Sequence, residues 1–123
     1  MIIGVVVFII LSRSKNGDSF DTAIDISFED PAYTYSYCKF DIGETKYFKF
    51  TAYETAVYTF DSTCDADVNA IIYDSKRVTY KSDTDYGDFD ISIYIPEGET
   101  YYIAVDSSSD QQHQCTLTAT KKQ

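Results

Sequence analysis

A chain of 123 residues is one domain's worth of sequence and can bury a core of its own. Between Gly17 and Thr120, six Lys/Arg face all twenty Asp/Glu, a net of −14, and so acidic a surface repels nucleic-acid phosphate and anionic lipid. Twelve Tyr and eight Phe with no Trp suit pleated, half-buried strands.

The chain opens on Ile2–Leu11, the unbroken apolar run IIGVVVFIIL. As a helix it spans only ~15 Å at about 1.5 Å per residue, half a hydrocarbon core. It reads as the second half of a truncated signal or anchor segment, with a polar linker completing residues 1–16. Arg13 and Lys15 run against the positive-inside rule for an exported domain. A buried N-terminal strand is the other reading of the same run.

From Phe20 onward, short alternating runs are separated by turn residues, the rhythm of a sandwich. The expected strands are Thr22–Ile26, Tyr33–Phe40, Tyr47–Ala52, Ala56–Asp61, Val68–Tyr73, Val78–Lys81, Phe89–Ile95, Thr100–Val105 and Gln114–Thr120. Neighbouring side chains in a strand point to opposite faces. Parity therefore predicts that Phe48, Phe50, Phe60, Ile72, Ile93, Ile103, Val105 and Leu117 face one core. Pro96-Glu97-Gly98 reads as a type I turn with Pro at i+1 and Gly at i+3, joining two of the strands as a hairpin. The expected fold is an all-β antiparallel sandwich of eight or nine strands over residues 17–120, with 121–123 as a tail.

The three cysteines, Cys38, Cys64 and Cys115, carry no zinc-ligand spacing. An odd count leaves one bridge plus a free thiol, or three buried thiols. Cys64 shares the parity of Tyr58 and Phe60, and Cys115 that of Leu117. If those strands are neighbours, the expected bridge is Cys64–Cys115, with Cys38 free. Such a bridge belongs outside the cytoplasm.

Three constellations could carry chemistry. His113 and Cys115 share a strand face, as a nucleophile and its base would, but no orienting residue or oxyanion donor accompanies them. The carboxylates Asp61, Asp65, Asp67, Asp83, Asp85 and Asp88 fit a cation site or simply turns, since Asp bonds its own backbone there. Tyr73, Tyr94 and Tyr102 fall on outward parity in three strands. Tyrosine offers flat, low-entropy contact area to sugars or protein, and cross-strand packing is the competing reading.

GDSFDTA (Gly17–Ala23), YFKFTA (Tyr47–Ala52), VYTF (Val57–Phe60), DADVNAIIYD (Asp65–Asp74), SDTDYGD (Ser82–Asp88), ISIYIPEGETYYIAV (Ile91–Val105) and CTLTAT (Cys115–Thr120) occur in one order. Together they resemble the bacterial pre-peptidase C-terminal domain family, which includes the collagen-binding domains of clostridial collagenases. The resemblance implies a jelly-roll-like sandwich appended to secreted hydrolases. In members that bind calcium it implies acidic residues before the domain start and an Asp-x-Asp before the aromatic strand. Here Arg13 and Lys15 stand at the start, and Glu44 and Lys46 at the later pair. Asp18, Asp41 and Glu44 are the residues left to hold calcium, and weak binding or none is expected, because Lys46 adds a repelling charge where a ligand should be.

The expected function is a non-catalytic binding or accessory module of a secreted or surface-tethered protein. Its expected partner is an extracellular protein or polysaccharide, met through a sheet face by a monomer. The alternative is a segment that assists folding or secretion of a hydrolase and is later removed. No enzyme activity and no cofactor are expected.

Overall fold

The computed structural model describes residues 16–27, 34–42, 45–64, 67–107 and 113–122; for 34–42 and 113–114 it describes the backbone alone. Ile2–Leu11, the expected anchor, lies outside the described residues, as do Glu44 and Asp65.

Each expected run forms one strand: β1 Ile24–Ile26, β2 Thr34–Ile42, β3 Lys46–Thr51, β4 Ala56–Cys64, β5 Val68–Tyr73, β6 Thr79–Asp83, β7 Asp90–Ile95, β8 Thr100–Ser107 and β9 His113–Lys121. They build a five-stranded sheet, β1-β3-β8-β5-β6, packed on a four-stranded sheet, β2-β9-β4-β7. The strongest alternation is in β7, where Ile91, Ile93 and Ile95 are buried and Asp90, Ser92 and Tyr94 are exposed. All eight residues assigned to the core by parity are buried. Phe50 bridges the sheets, its ring 4.7 Å from Tyr58 and 5.7 Å from Phe60. Burying each such side chain contributes about 1.5–3 kcal/mol, so the interdigitated faces carry most of the stability.

Two details depart from the sequence reading, and a third is a local irregularity on which it made no statement. The β1–β3 pair is parallel, with Ile24 opposite Phe48. The intervening β2 lies in the other sheet, so no hairpin joins β1 to β3 and the chain can return in the same direction. The β7–β8 turn is shifted by one residue. The Glu99 N–H donates to the Pro96 carbonyl at 3.1 Å, which puts Pro96 at i and Gly98 at i+2. Gly98 has φ 88°, the left-handed conformation that favours glycine there. Finally, β6 slips against β5 between Ile72 and Tyr73.

Cys64 and Cys115 face each other across β4 and β9 and form a disulfide, Cα atoms 4.3 Å apart. The side chain of Cys38 lies outside those described.

Candidate functional site

The three tyrosines assigned to one binding surface do not share a surface. Tyr73 and Tyr102 are register partners on β5 and β8, on the outside of the five-stranded sheet. Tyr94 stands on β7, in the four-stranded sheet.

The Tyr73–Tyr102 face is covered by the segment that leads into β1. Gly17 has φ 81° and lies so close to β3 that a Cβ would come within 2.5 Å of Lys46 Cδ. Its N–H donates to the Thr22 carbonyl, and its carbonyl accepts the Tyr47 N–H, both at 2.7 Å. Ser19 and Thr22 close the loop, with the Ser19 N–H donating to Thr22 Oγ1 at 3.1 Å. Phe20 is thereby laid on the sheet, its ring 4.7 Å from Tyr47, 5.1 Å from Tyr73 and 5.3 Å from Tyr102. Arg77 completes the cover. Its guanidinium lies 5.0 Å from the Phe20 ring and 5.7 Å from that of Tyr102, and pairs with Asp21 at 2.7 Å. Tyr102 is left only 9% exposed. Tyr73 is half-buried, and burial, with Tyr47 and Asp106 nearby, pushes its phenol pKa up. Outward parity was right for both residues. It could not reveal that Phe20 folds back over them.

The outside of the four-stranded sheet is different. Tyr94 is 60% exposed there, opposite Val57. One row on, the hydroxyls of Thr59 and Ser92 bond at 2.7 Å, and the next row pairs Asp61 with Asp90. On the other side of β4, Thr59, Asp61 and Thr63 stand opposite Thr120, Thr118 and Thr116. With strands ~4.8 Å apart and same-face residues repeating every ~6.8 Å, this is a lattice of hydroxyls with an aromatic at one end and carboxylates within it. Burial pushes the Asp61 carboxyl above the usual carboxylate range, and the charges of Asp90 and Asp88 push the same way. Asp88 Oδ1 accepts the Ser62 hydroxyl at 2.9 Å. Sequence reasoning singled out Tyr94 and Asp61 but missed the threonine rows. Their alternation, Thr116, Thr118, Thr120 against Cys115, Leu117, Ala119, was the available signal.

The remaining acidic residues bond mostly to backbone. Asp67 Oδ1 accepts the Gly87 N–H at 2.8 Å, Asp83 Oδ1 accepts the Asp85 N–H at 3.0 Å, and Asp83 Oδ2 accepts the Asp90 N–H at 2.9 Å. The Asp83–Asp85 contact is a local turn, while the other two tie loop and strand segments that are apart in sequence. Of the calcium candidates, Asp18 is exposed and its N–H donates to Asn16 Oδ1 at 3.1 Å. The side chains of Asp41 and Glu44 lie outside those described. Lys46 Nζ donates to the Asn16 carbonyl at 3.1 Å, so a positive charge stands at the entry to this segment. Cys115 is consumed by the disulfide and supplies no thiolate for a dyad with His113, whose side chain is outside those described.

No protein-family model matches the chain, and no curated protein matches it in sequence. Solved structures match it in fold. The pre-peptidase C-terminal domain of a Bacillus anthracis collagenase superposes with a TM-score of 0.56 at 13% identity, covering 81% of this chain and 94% of that one. PliG of Salmonella Typhimurium, a periplasmic inhibitor of g-type lysozyme, gives 0.54 at 8% identity, over 81% of this chain and 97% of its own. A mutant of the Escherichia coli PliG gives 0.53 at 8%, with the same coverage. The chain therefore has the β-sandwich fold of the pre-peptidase C-terminal domain, the fold that its ordered motifs led us to expect.

Proposed function

We propose that this domain is a non-catalytic binding module of a secreted or surface-tethered protein, and that it meets an extracellular polysaccharide or protein through the outside of its four-stranded sheet. The observation that carries this reading is the exposed ring of Tyr94 beside rows of hydroxyls, while the opposite sheet is covered by Phe20 and Arg77. A tyrosine ring stacks on the flat face of a sugar or an extended chain. Thr and Ser hydroxyls donate and accept, and Asp61 and Asp90 accept, so a hydroxyl-bearing ligand finds partners at each row. The acidic field steers neutral or cationic partners and repels anionic ones. The Cys64–Cys115 bridge supports an oxidising compartment, hence the cell surface or beyond.

The test is a glycan and triple-helical-peptide array probed with the wild-type domain and Tyr94→Ala, with melting measured in parallel. Tyr94→Ala is expected to weaken the bound ligand by ~1–2 kcal/mol and to change stability by less than about 0.5 kcal/mol. Binding that survives Tyr94→Ala unchanged overturns the assignment of this face.

A further inference from the structure

At the end of the five-stranded sheet, the β5–β6 and β7–β8 turns enclose a hollow of about 270 Å³, lined by Asp74, Ser75, Gly98, Glu99, Thr100 and Tyr101. It lies apart from the Tyr94 face, and nothing proposed above uses it. We propose that this hollow binds the ammonium or guanidinium head of a lysine or arginine side chain presented by a protein partner.

Four features of the hollow converge on a cation that carries N–H donors. Tyr101 is only 7% exposed, yet its hydroxyl makes no hydrogen bond to the described residues. The ring is buried while the hydroxyl opens on the hollow, where it is left to solvent and can accept from a donor that enters. Two carboxylates, Asp74 and Glu99, line the hollow with Tyr101, and burial, then Tyr80 and these two charges, raise its phenol pKa. The Asp74 carboxylate is fixed in place, with Oδ1 accepting the Lys76 and Val78 N–H groups at 2.9 and 3.0 Å. Tyr80 packs its ring edge-on 5.3 Å from that of Tyr101 and stays 55% exposed, so aromatic surface lies beside a residue that lines the hollow. Carboxylate oxygens, a phenol oxygen and aromatic surface together match an organic cation and reject an anion. The turn's own Arg77 is directed elsewhere. It lies over Tyr102, which projects from the opposite side of β8 to Tyr101, and is held there by Asp21. Gly98 adds room, because no atom lies within 4 Å of where its Cβ would stand.

The experiment is an amide-resonance titration of the isotope-labelled domain with Nα-acetyl-arginine amide, Nα-acetyl-lysine amide and the neutral Nα-acetyl-citrulline amide. A single side chain is expected to bind with a Kd on the order of 1–10 mM. The cationic probes should shift Ser75, Gly98, Glu99 and Thr100, and citrulline should not. Glu99→Gln and Tyr80→Ala, both at exposed positions, should each weaken binding about two- to fivefold. Tyr94→Ala should leave it unchanged, which separates this site from the sheet face. Equal binding of citrulline, shifts centred elsewhere, or no saturable shifts with either cation would overturn the proposal.

Discussion

Lys81 on β6 donates to the carbonyl of Ser92 on β7 at 3.0 Å, joining the two sheets where each ends in an edge strand. Two residues on, Asp83 accepts the N–H of Asp90 at 2.9 Å. Side chains of one edge thus occupy backbone groups that another strand would pair with, a known defence against edge-to-edge association. The double variant Lys81→Ala/Asp83→Ala is expected to self-associate as concentration rises, while losing only about 1 kcal/mol of stability. Sedimentation velocity over a concentration series checks it, and a variant that stays monomeric would remove the guarding role.

The disulfide closes a sequence separation of 51 residues. A loop of that size is expected to contribute roughly 2–4 kcal/mol, largely by restricting the unfolded chain. Cys64→Ala/Cys115→Ala should therefore lower the urea midpoint and steepen the slope, because the unfolded chain without the crosslink exposes more surface.

Asp61 titrates against its neighbours. Its folded-state carboxyl is raised by burial, Asp90 and Asp88, so folding favours its protonated form. The resulting stability is present below the unfolded carboxylate pKa, near 3.9, and is lost as pH rises through the folded value. At neutral pH the ionised group opposes folding. Asp61→Asn is expected to stabilise the domain at pH 7 by roughly 0.2–1 kcal/mol, as relief of a like-charge cross-strand pair does. The gain should disappear near pH 3. Thermal melts of both proteins across that range decide it, and a gain independent of pH would refute the electrostatic cause.

Calcium is expected to bind weakly or not at all, because Lys46 brings its ammonium to the Asn16 carbonyl beside Asp18. Millimolar calcium should leave the melting temperature where chelator leaves it. Ligand at a hundred times its Kd would add ~2.7 kcal/mol, which a melt resolves easily. A large chelator-reversible rise would overturn the expectation.

Parity made most of this fold readable. Ile91, Ile93 and Ile95 against Ser92 and Tyr94 fix a face without any tertiary knowledge, and a one-residue error would have exposed the whole set. The Cys64–Cys115 pair followed from the same reasoning. What escaped depended on contacts remote in sequence. Phe20 precedes Tyr102 by most of the domain, so nothing local to β8 announces that the Tyr102 ring will be roofed. The β7–β8 turn was misplaced by one residue because Pro suits several turn positions, whereas only the hydrogen bond from Glu99 to Pro96 fixes the register. Tyr101 has the parity of Ile103 and Val105 and is buried with them. That it lines a hollow at the sheet's end became visible only once the β5–β6 turn lay beside it.

The position of the disulfide within its sheet has a consequence for how this surface can change over generations. It joins β9 to β4, the two inner strands, with β2 and β7 paired outside them. A strand pair tied at one rung cannot slide, and each outer strand takes its alignment from a tied neighbour. Thr59, Thr63, Thr116, Thr118 and Thr120 are therefore free to be exchanged for other residues without the rows losing alignment, since the alignment is set from the buried side. This outer face can be rewritten letter by letter while the frame that holds the letters stays fixed. A lineage carrying this bridge can exchange the residues of this face without passing through a misaligned sheet.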